Sequence, residues 1–247
     1  MAVIDDLLKT LPDGRLLDIR IGVFWSAVVV EVEGRRRCGL ASNIHRGGHL
    51  HGQQTEVDAA GLLLELSGRT LAGLARSKSL IEASVGFAAI NALLPRQEER
   101  YVELNAEHVI AEKGAGKHVV VVGSFPFLKR VRDRVGSMAV MDLRPGEGDT
   151  PPEVAAEVLP KADLVALSAT SLINHTFEKL IALCQPSALV LMLGPSTPLS
   201  PVLFDHCVHI LAGSIVEDER AVLGAVSQGA TFRQIRPLGV RVVTMEL

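Results

Sequence analysis

The sequence predicts an α/β protein in which a smaller α+β unit precedes a doubly wound parallel sheet of Rossmann type. Three observations carry this. From His118 onward, short unbroken aliphatic runs alternate with helical stretches, as parallel strands covered on both faces require. Earlier in the chain, three β-branched runs follow one another without a helix between them, which implies an antiparallel meander. Finally, 48% of the 247 residues are hydrophobic, yet there are only one Trp, one Tyr and seven Phe. Layers filled by Val, Leu, Ile and Ala fit that composition better than an aromatic-rich sandwich.

In chain order, residues 3–11 show helical spacing and stop at Pro12-Asp13-Gly14, a turn signal. Strands are expected at 16–23, 25–32 and 37–42, followed by a Gly- and His-rich loop over 43–55. Residues 56–66 have near-helical apolar spacing and are read as a helix, with a shorter helical turn at 71–76. Ser79, with Glu82 three residues on, forms a capping-box signature for a helix that ends before Pro95. The charged run Arg96-Gln97-Glu98-Glu99-Arg100 after that proline reads as a linker, so the expected organisation is 1–95, a linker over 96–114, and 115–247. In the last part, strands are expected at 118–122, 138–142, 164–168, 189–193 and 208–211. Helices are expected at 154–159, 176–184, after Ser200-Pro201, and at 220–227, the last stopped by Gly229.

Several classes are disfavoured. With 25 basic against 28 acidic side chains, no basic excess exists to neutralise a phosphate backbone, so a nucleic-acid partner is not expected. No apolar run approaches the ~20 residues a spanning helix needs, and Asp5-Asp6 stand where a signal peptide would carry Lys or Arg. A soluble, cytoplasmic protein without a membrane partner is expected. Cys38, Cys184 and Cys207 are odd in number and widely spaced, which is neither a disulfide framework nor a zinc ribbon.

In a doubly wound sheet, ligands sit beyond the carboxyl ends of the strands. The residues there are Gly123-Ser124-Phe125-Pro126-Phe127, Asp142, Thr170-Ser171, Asn174-His175-Thr176, Gly194-Pro195-Ser196-Thr197-Pro198 and Gly213-Ser214. Small residues let backbone N–H groups approach an anion, and hydroxyls add donors. A lone Gly123 is not a dinucleotide fingerprint, although Asp142, 19 residues later, stands where a ribose-binding acid would. His45, His49 and His51 form an H-x3-H-x-H array. If the last two are extended, their Cα atoms lie ~6.6 Å apart on one face, compatible with a shared transition metal. Asp142 and His175 are the candidates for proton transfer.

The strings Val121-Val122-Gly123-Ser124-Phe125-Pro126-Phe127, Ser171-Leu172-Ile173-Asn174-His175-Thr176, Leu193-Gly194-Pro195-Ser196-Thr197-Pro198-Leu199-Ser200-Pro201 and Leu211-Ala212-Gly213-Ser214 together resemble the heavy-metal chelation family. In the first half, Gly22-Val23-Phe24-Trp25-Ser26-Ala27-Val28, Gly39-Leu40-Ala41 and the run Ser84 to Leu93, which contains Asn91, look like that family's companion domain. The resemblance implies an enolase N-terminal-like domain joined to a Rossmann-like one, with the site between them. Trp25 and Asn91 would then contribute from the first half.

The expected function is a metal-handling protein that binds a metal, or an anionic metal-chelating small molecule, in the cleft between the two halves. Gly123, Gly194, Ser196, Thr197, Gly213 and Ser214 would shape its floor, while Asn91 and Asn174 orient the ligand. Two alternatives stand beside it: a transferase binding a nucleotide or S-adenosylmethionine, and a non-catalytic sensor or carrier. A homodimer is compatible with all three.

Overall fold

The computed structural model describes residues 2–44, 55–142 and 150–247. The chain opens with α1 (Ala2–Thr10), which buries Val3, Ile4, Leu7 and Leu8 on one face. Strands β1 (Arg15–Ile21), β2 (Trp25–Val32) and β3 (Arg35–Ser42) follow as an antiparallel sheet in that order. The β2–β3 hairpin turns at Glu33-Gly34, with φ of 51° and 73°. Two positive φ values in a two-residue loop match the right-handed twist of the flanking strands.

Residues 56–66 do not form the expected helix. They run as turns and end in a single 3₁₀ turn at Leu63–Glu65. The break falls at Gly61, whose φ of +90° lies outside any right-handed helix. Helix α2 (Gly68–Ala72) continues into a 3₁₀ turn, Gly73–Arg76, before α3 (Leu80–Leu93). Ser79 caps α3 by accepting from the Glu82 N–H at 3.3 Å. The reciprocal arm of the capping box is not made. The Glu82 carboxylate instead accepts from the Asp58 N–H and the Ser77 hydroxyl.

All of α3 except Leu80 and Asn91 is buried. That needs small residues at the crossings, and two glycines supply the closest approach. A Cβ on Gly39 of β3 would lie 2.2 Å from the Ala88 carbonyl oxygen, and one on Gly86 would lie 2.0 Å from the Ala75 nitrogen.

The second sheet has six strands in the order β5-β4-β6-β7-β8-β9. They are β4 (His118–Val122), β5 (Ser137–Met141), β6 (Leu164–Ser168), β7 (Leu189–Leu193), β8 (Ile210–Val216) and β9 (Val240–Glu246). The first five are parallel, as their aliphatic runs predict. β9, which the strand pattern did not reveal, pairs antiparallel with β8. This is the doubly wound order that starts in the middle, runs one way to β5 and then the other way through β6. Its switch point lies between β4 and β6.

The accompanying helices are α4 (Ala106–Lys113), α5 (Leu128–Val131), α6 (Ala155–Val158), α7 (Thr170–Ile173), α8 (Phe177–Ile181), α9 (Glu219–Ser227) and α10 (Phe232–Ile235). α4 lies within the segment read as a linker and is capped by Asn105, whose side chain accepts from the His108 N–H at 3.0 Å. The same segment is tied to β9, because Val102 and Thr244 exchange backbone hydrogen bonds of 2.9 and 2.8 Å.

The largest core cluster is shared by both sheets. It joins Ile4, Leu7, Val28, Val30, Phe87 and Ile90 to Val165, Leu167, Leu172, Met192 and Leu211. A second cluster, including Val109, Ile110, Val119, Val121 and Leu128, covers the opposite face of the six-stranded sheet under α4 and α5. Among the described residues, no helix is long and apolar enough to cross a membrane.

Candidate functional site

A cavity of about 820 Å³ opens at the carboxyl ends of β4, β6 and β7, beside Ala212 and Gly213 of β8, where the switch-point rule places ligands. Its floor depends on two glycines in conformations that other residues rarely adopt. Gly123, ending β4, has φ +114° and donates to the Met141 carbonyl at 2.7 Å. A Cβ there would meet Ser168 Cβ at 2.8 Å. Gly194, ending β7, has φ +116° and donates to the Ala212 carbonyl at 3.1 Å. A Cβ on Gly194 would meet nothing within 4 Å.

The Gly194-Pro195-Ser196-Thr197 turn is closed by the Thr197 N–H on the Gly194 carbonyl at 3.0 Å. Ser214 Oγ donates to the Pro195 carbonyl at 3.0 Å. From the three-stranded sheet, Ser42 reaches the same turn. Its N–H donates to Ser196 Oγ at 2.8 Å, and the two hydroxyls lie 3.2 Å apart. Behind the turn, Asn91 Nδ2 donates to the Leu40 carbonyl at 2.8 Å and to the Ser196 carbonyl at 3.1 Å. Asn91 therefore supports the loop and does not line the cavity. Asn91 Oδ1 and Thr197 Oγ1 are buried without partners among the described residues, and both side chains line a separate chamber of about 30 Å³, beside Ser214. That is room for a single water molecule with polar groups to receive it.

The walls are aromatic. Phe125 and Phe127 stack at 5.5 Å, and Trp25 of β2 packs against Phe232 of α10, also at 5.5 Å. Trp25 is 7% exposed, and its Nε1–H has no acceptor among the described residues. Such a buried, unpaired donor costs about 1–3 kcal/mol.

Charge at the cavity is uneven. Arg130 grips Glu107 bidentately, at 2.9 and 2.6 Å, and that contact holds the Glu107 carboxyl below its ordinary range. Arg233 and Arg236 also line the cavity, and neither has a carboxylate partner among the described residues.

Of the residues singled out by sequence, Trp25, Gly123, Phe125, Pro126, Asp142, Thr170, Gly194, Pro195, Ser196 and Gly213 line this cavity. His175 does not. Its φ of +60° turns the chain, and Nε2 donates to the Ser77 carbonyl at 2.9 Å, facing the first half of the protein. Asn174 Oδ1 accepts from the Thr176 N–H at 3.2 Å and from its hydroxyl at 2.7 Å. This short turn leaves Asn174 and Thr176 outside the cavity lining. Ser171 is buried outside it as well. His45, His49 and His51 lie outside the described residues. Among those described, no three His, Cys, Asp or Glu side chains gather to hold a metal ion.

Sequence reasoning missed Asn105, Glu107, Arg130, Phe232, Arg233 and Arg236. A signal for the last three is present in Phe232-Arg233-Gln234-Ile235-Arg236, in which two cations three apart share a helical face beside an aromatic ring.

Two family models that share one description match residues 105–245 and 4–94. An uncharacterized protein of Methanocaldococcus jannaschii is 24% identical over 221 residues, spanning 85% of this chain and 83% of that one. A crystal structure of a protein with unknown function from Desulfitobacterium hafniense superposes with a TM-score of 0.86 at 26% identity, covering 100% of this chain and 98% of that one. One from Pyrococcus horikoshii gives 0.83 at 19% identity, covering 99% and 98%, and so shows the fold alone. Since one of the two models alone spans more than half of the sequence, the chain belongs to the family described as "Putative heavy-metal chelation".

Proposed function

We propose that the protein handles metal by binding it as a complex with an anionic small molecule in the cavity at the switch point. The supporting observation is a ligand-sized space at the switch point with Arg233 and Arg236 on its wall. The cavity, at about 820 Å³, falls within the ~300–1,000 Å³ typical of small-molecule sites. In this reading the small molecule brings donor atoms for the metal with it. Arg233 and Arg236 at the wall favour a negatively charged guest. The family description is in keeping with metal as cargo.

Native mass spectrometry with elemental analysis, on full-length protein purified without a histidine tag, tests this. The expected result is a stoichiometric organic adduct carrying a transition metal, and its loss in Ser124→Trp, which puts a bulky side chain at a cavity-lining position. Metal retained without an organic adduct, or an adduct untouched by Ser124→Trp in a variant that melts like the parent, would refute it.

A second reading, a nucleotide or S-adenosylmethionine site, draws on one observation. Asp142, just after the second strand of the parallel set, lines the same cavity as Gly123, the placement of a ribose-binding acid. Thermal stabilisation by adenosine nucleotides or S-adenosylmethionine, abolished in Asp142→Ala, would favour it over the first.

A further inference from the structure

We infer that the cavity's guest is a planar aromatic anion, with its ring among Trp25, Phe125 and Phe232 and its negative group toward Arg233 and Arg236. This rests on the reading that the cavity is a ligand site and narrows the guest to one chemical class. The chain has nine aromatic side chains in all, and four of them (Trp25, Phe125, Phe127 and Phe232) line this one space. Such walls receive a flat ring in offset or edge-on packing, whereas a hydrated aliphatic polyanion would lose its water there without gain.

The polar features point the same way. Arg233 lies on α10 and Arg236, three residues on, opens the 3₁₀ turn that follows it; neither has a carboxylate partner among the described residues. Arg130, the third arginine at the cavity, is already matched by Glu107. Phe232 precedes this pair directly, so one short stretch of chain delivers both ring and charge. A neutral ring would leave the two cations without a role, and a charged chain without a ring would leave the four aromatic side chains without one.

Trp25 is the sole tryptophan, so its emission reports the cavity wall directly. The test is calorimetric titration of the full chain, read alongside tryptophan fluorescence. The probes are 2,3-dihydroxybenzoate (an aromatic anion with metal-chelating hydroxyls), catechol as its neutral counterpart, and citrate as an aliphatic chelator. The expected result is that dihydroxybenzoate binds tightest and perturbs Trp25 emission. Arg233→Ala and Arg236→Ala should each weaken it roughly 2- to 5-fold, as solvent-exposed charge contacts do. Phe125→Leu, which keeps an apolar wall and drops the ring, should weaken it roughly 2- to 10-fold in the calorimeter.

Citrate binding more tightly than dihydroxybenzoate would overturn the aromatic assignment and leave the cavity reading standing. Catechol binding equally well, with both arginine variants unaffected, would overturn the anionic assignment. If none of the three binds and the emission stays unchanged, the inference falls. The native mass adduct then decides the cavity reading separately.

Discussion

Gly39→Ala is the most informative single substitution, because it tests the close packing of α3 on β3, which positions Asn91 behind the cavity turn. The new Cβ would lie 2.2 Å from the Ala88 carbonyl oxygen and 2.4 Å from the Ala92 nitrogen. The closer of these is about 0.8 Å inside the limit that real Cβ atoms respect. Both obstacles are backbone, so no rotamer change relieves them, and α3 must shift away from β3. Overpacking of this kind costs ~1–3 kcal/mol and at times more. The shift also stretches the Asn91 hydrogen bonds to the Leu40 and Ser196 carbonyls, each contributing about 1 kcal/mol. The expected loss is about 3–4 kcal/mol. At ~2–4 °C per kcal/mol for a chain of this size, the midpoint in scanning calorimetry should fall by roughly 6–16 °C. Since Asn91 supports the Ser196 turn, affinity for a cavity ligand should fall with it. The control is Gly224→Ala. Gly224 lies in α9 with open space around its would-be Cβ, and there alanine should stabilise by ~0.5–1 kcal/mol. A Gly39→Ala midpoint within 2 °C of the parent (a loss of about 1 kcal/mol or less) would refute the close-packed account of α3.

Two further outcomes follow from the side chains' surroundings. Burial pushes the Cys38 thiol up to about 12, and desolvation pushes Cys184 up to about 11, whereas Cys207 is exposed. At pH 8 a thiol-reactive dye should therefore label one fast equivalent, which Cys207→Ser removes, and fast labelling that persists in that variant would contradict the assignment. The backbone N–H groups of Arg69 and Gly14, at 3.0 and 2.8 Å, hold the Asp13 carboxyl below its ordinary value of 3.8. A depressed carboxyl contributes stability that is complete above the ordinary value and is lost as pH falls through the lower native one. Asp13→Asn should thus flatten the fall in melting temperature between about pH 5 and 3, and a fall parallel to the parent's would rule Asp13 out as a contributor.

The parallel strands are legible because the inner ones are covered on both faces, which leaves unbroken aliphatic runs such as 119–122 or 164–167. β9 escapes the same reading. Arg241 is half-buried and reaches Glu98 and Glu217 at the surface, so polar residues interrupt the run. Residues 56–66 have helical apolar spacing, but spacing alone cannot register the positive φ that Gly61 adopts. At the cavity, the floor follows from strand ends alone, and the sequence locates Gly123, Gly194 and Ser196 directly. The cationic wall comes from α10 and the 3₁₀ turn after it, more than 100 residues from β4. Only tertiary folding brings it there. His175 lies off the cavity for a local reason, since its own backbone carries the ring toward the Ser77 carbonyl.

The common core beneath both sheets has a bearing on how this chain could be divided. Each half serves as the other's shield from water. Cut after residue 94, either piece would bare a greasy flank that its partner normally hides, and would clump or recruit a stand-in. A gene encoding one portion without the other should therefore carry altered residues along that seam, and Ala88, Phe87, Leu172 and Met192 are where such changes would first be sought.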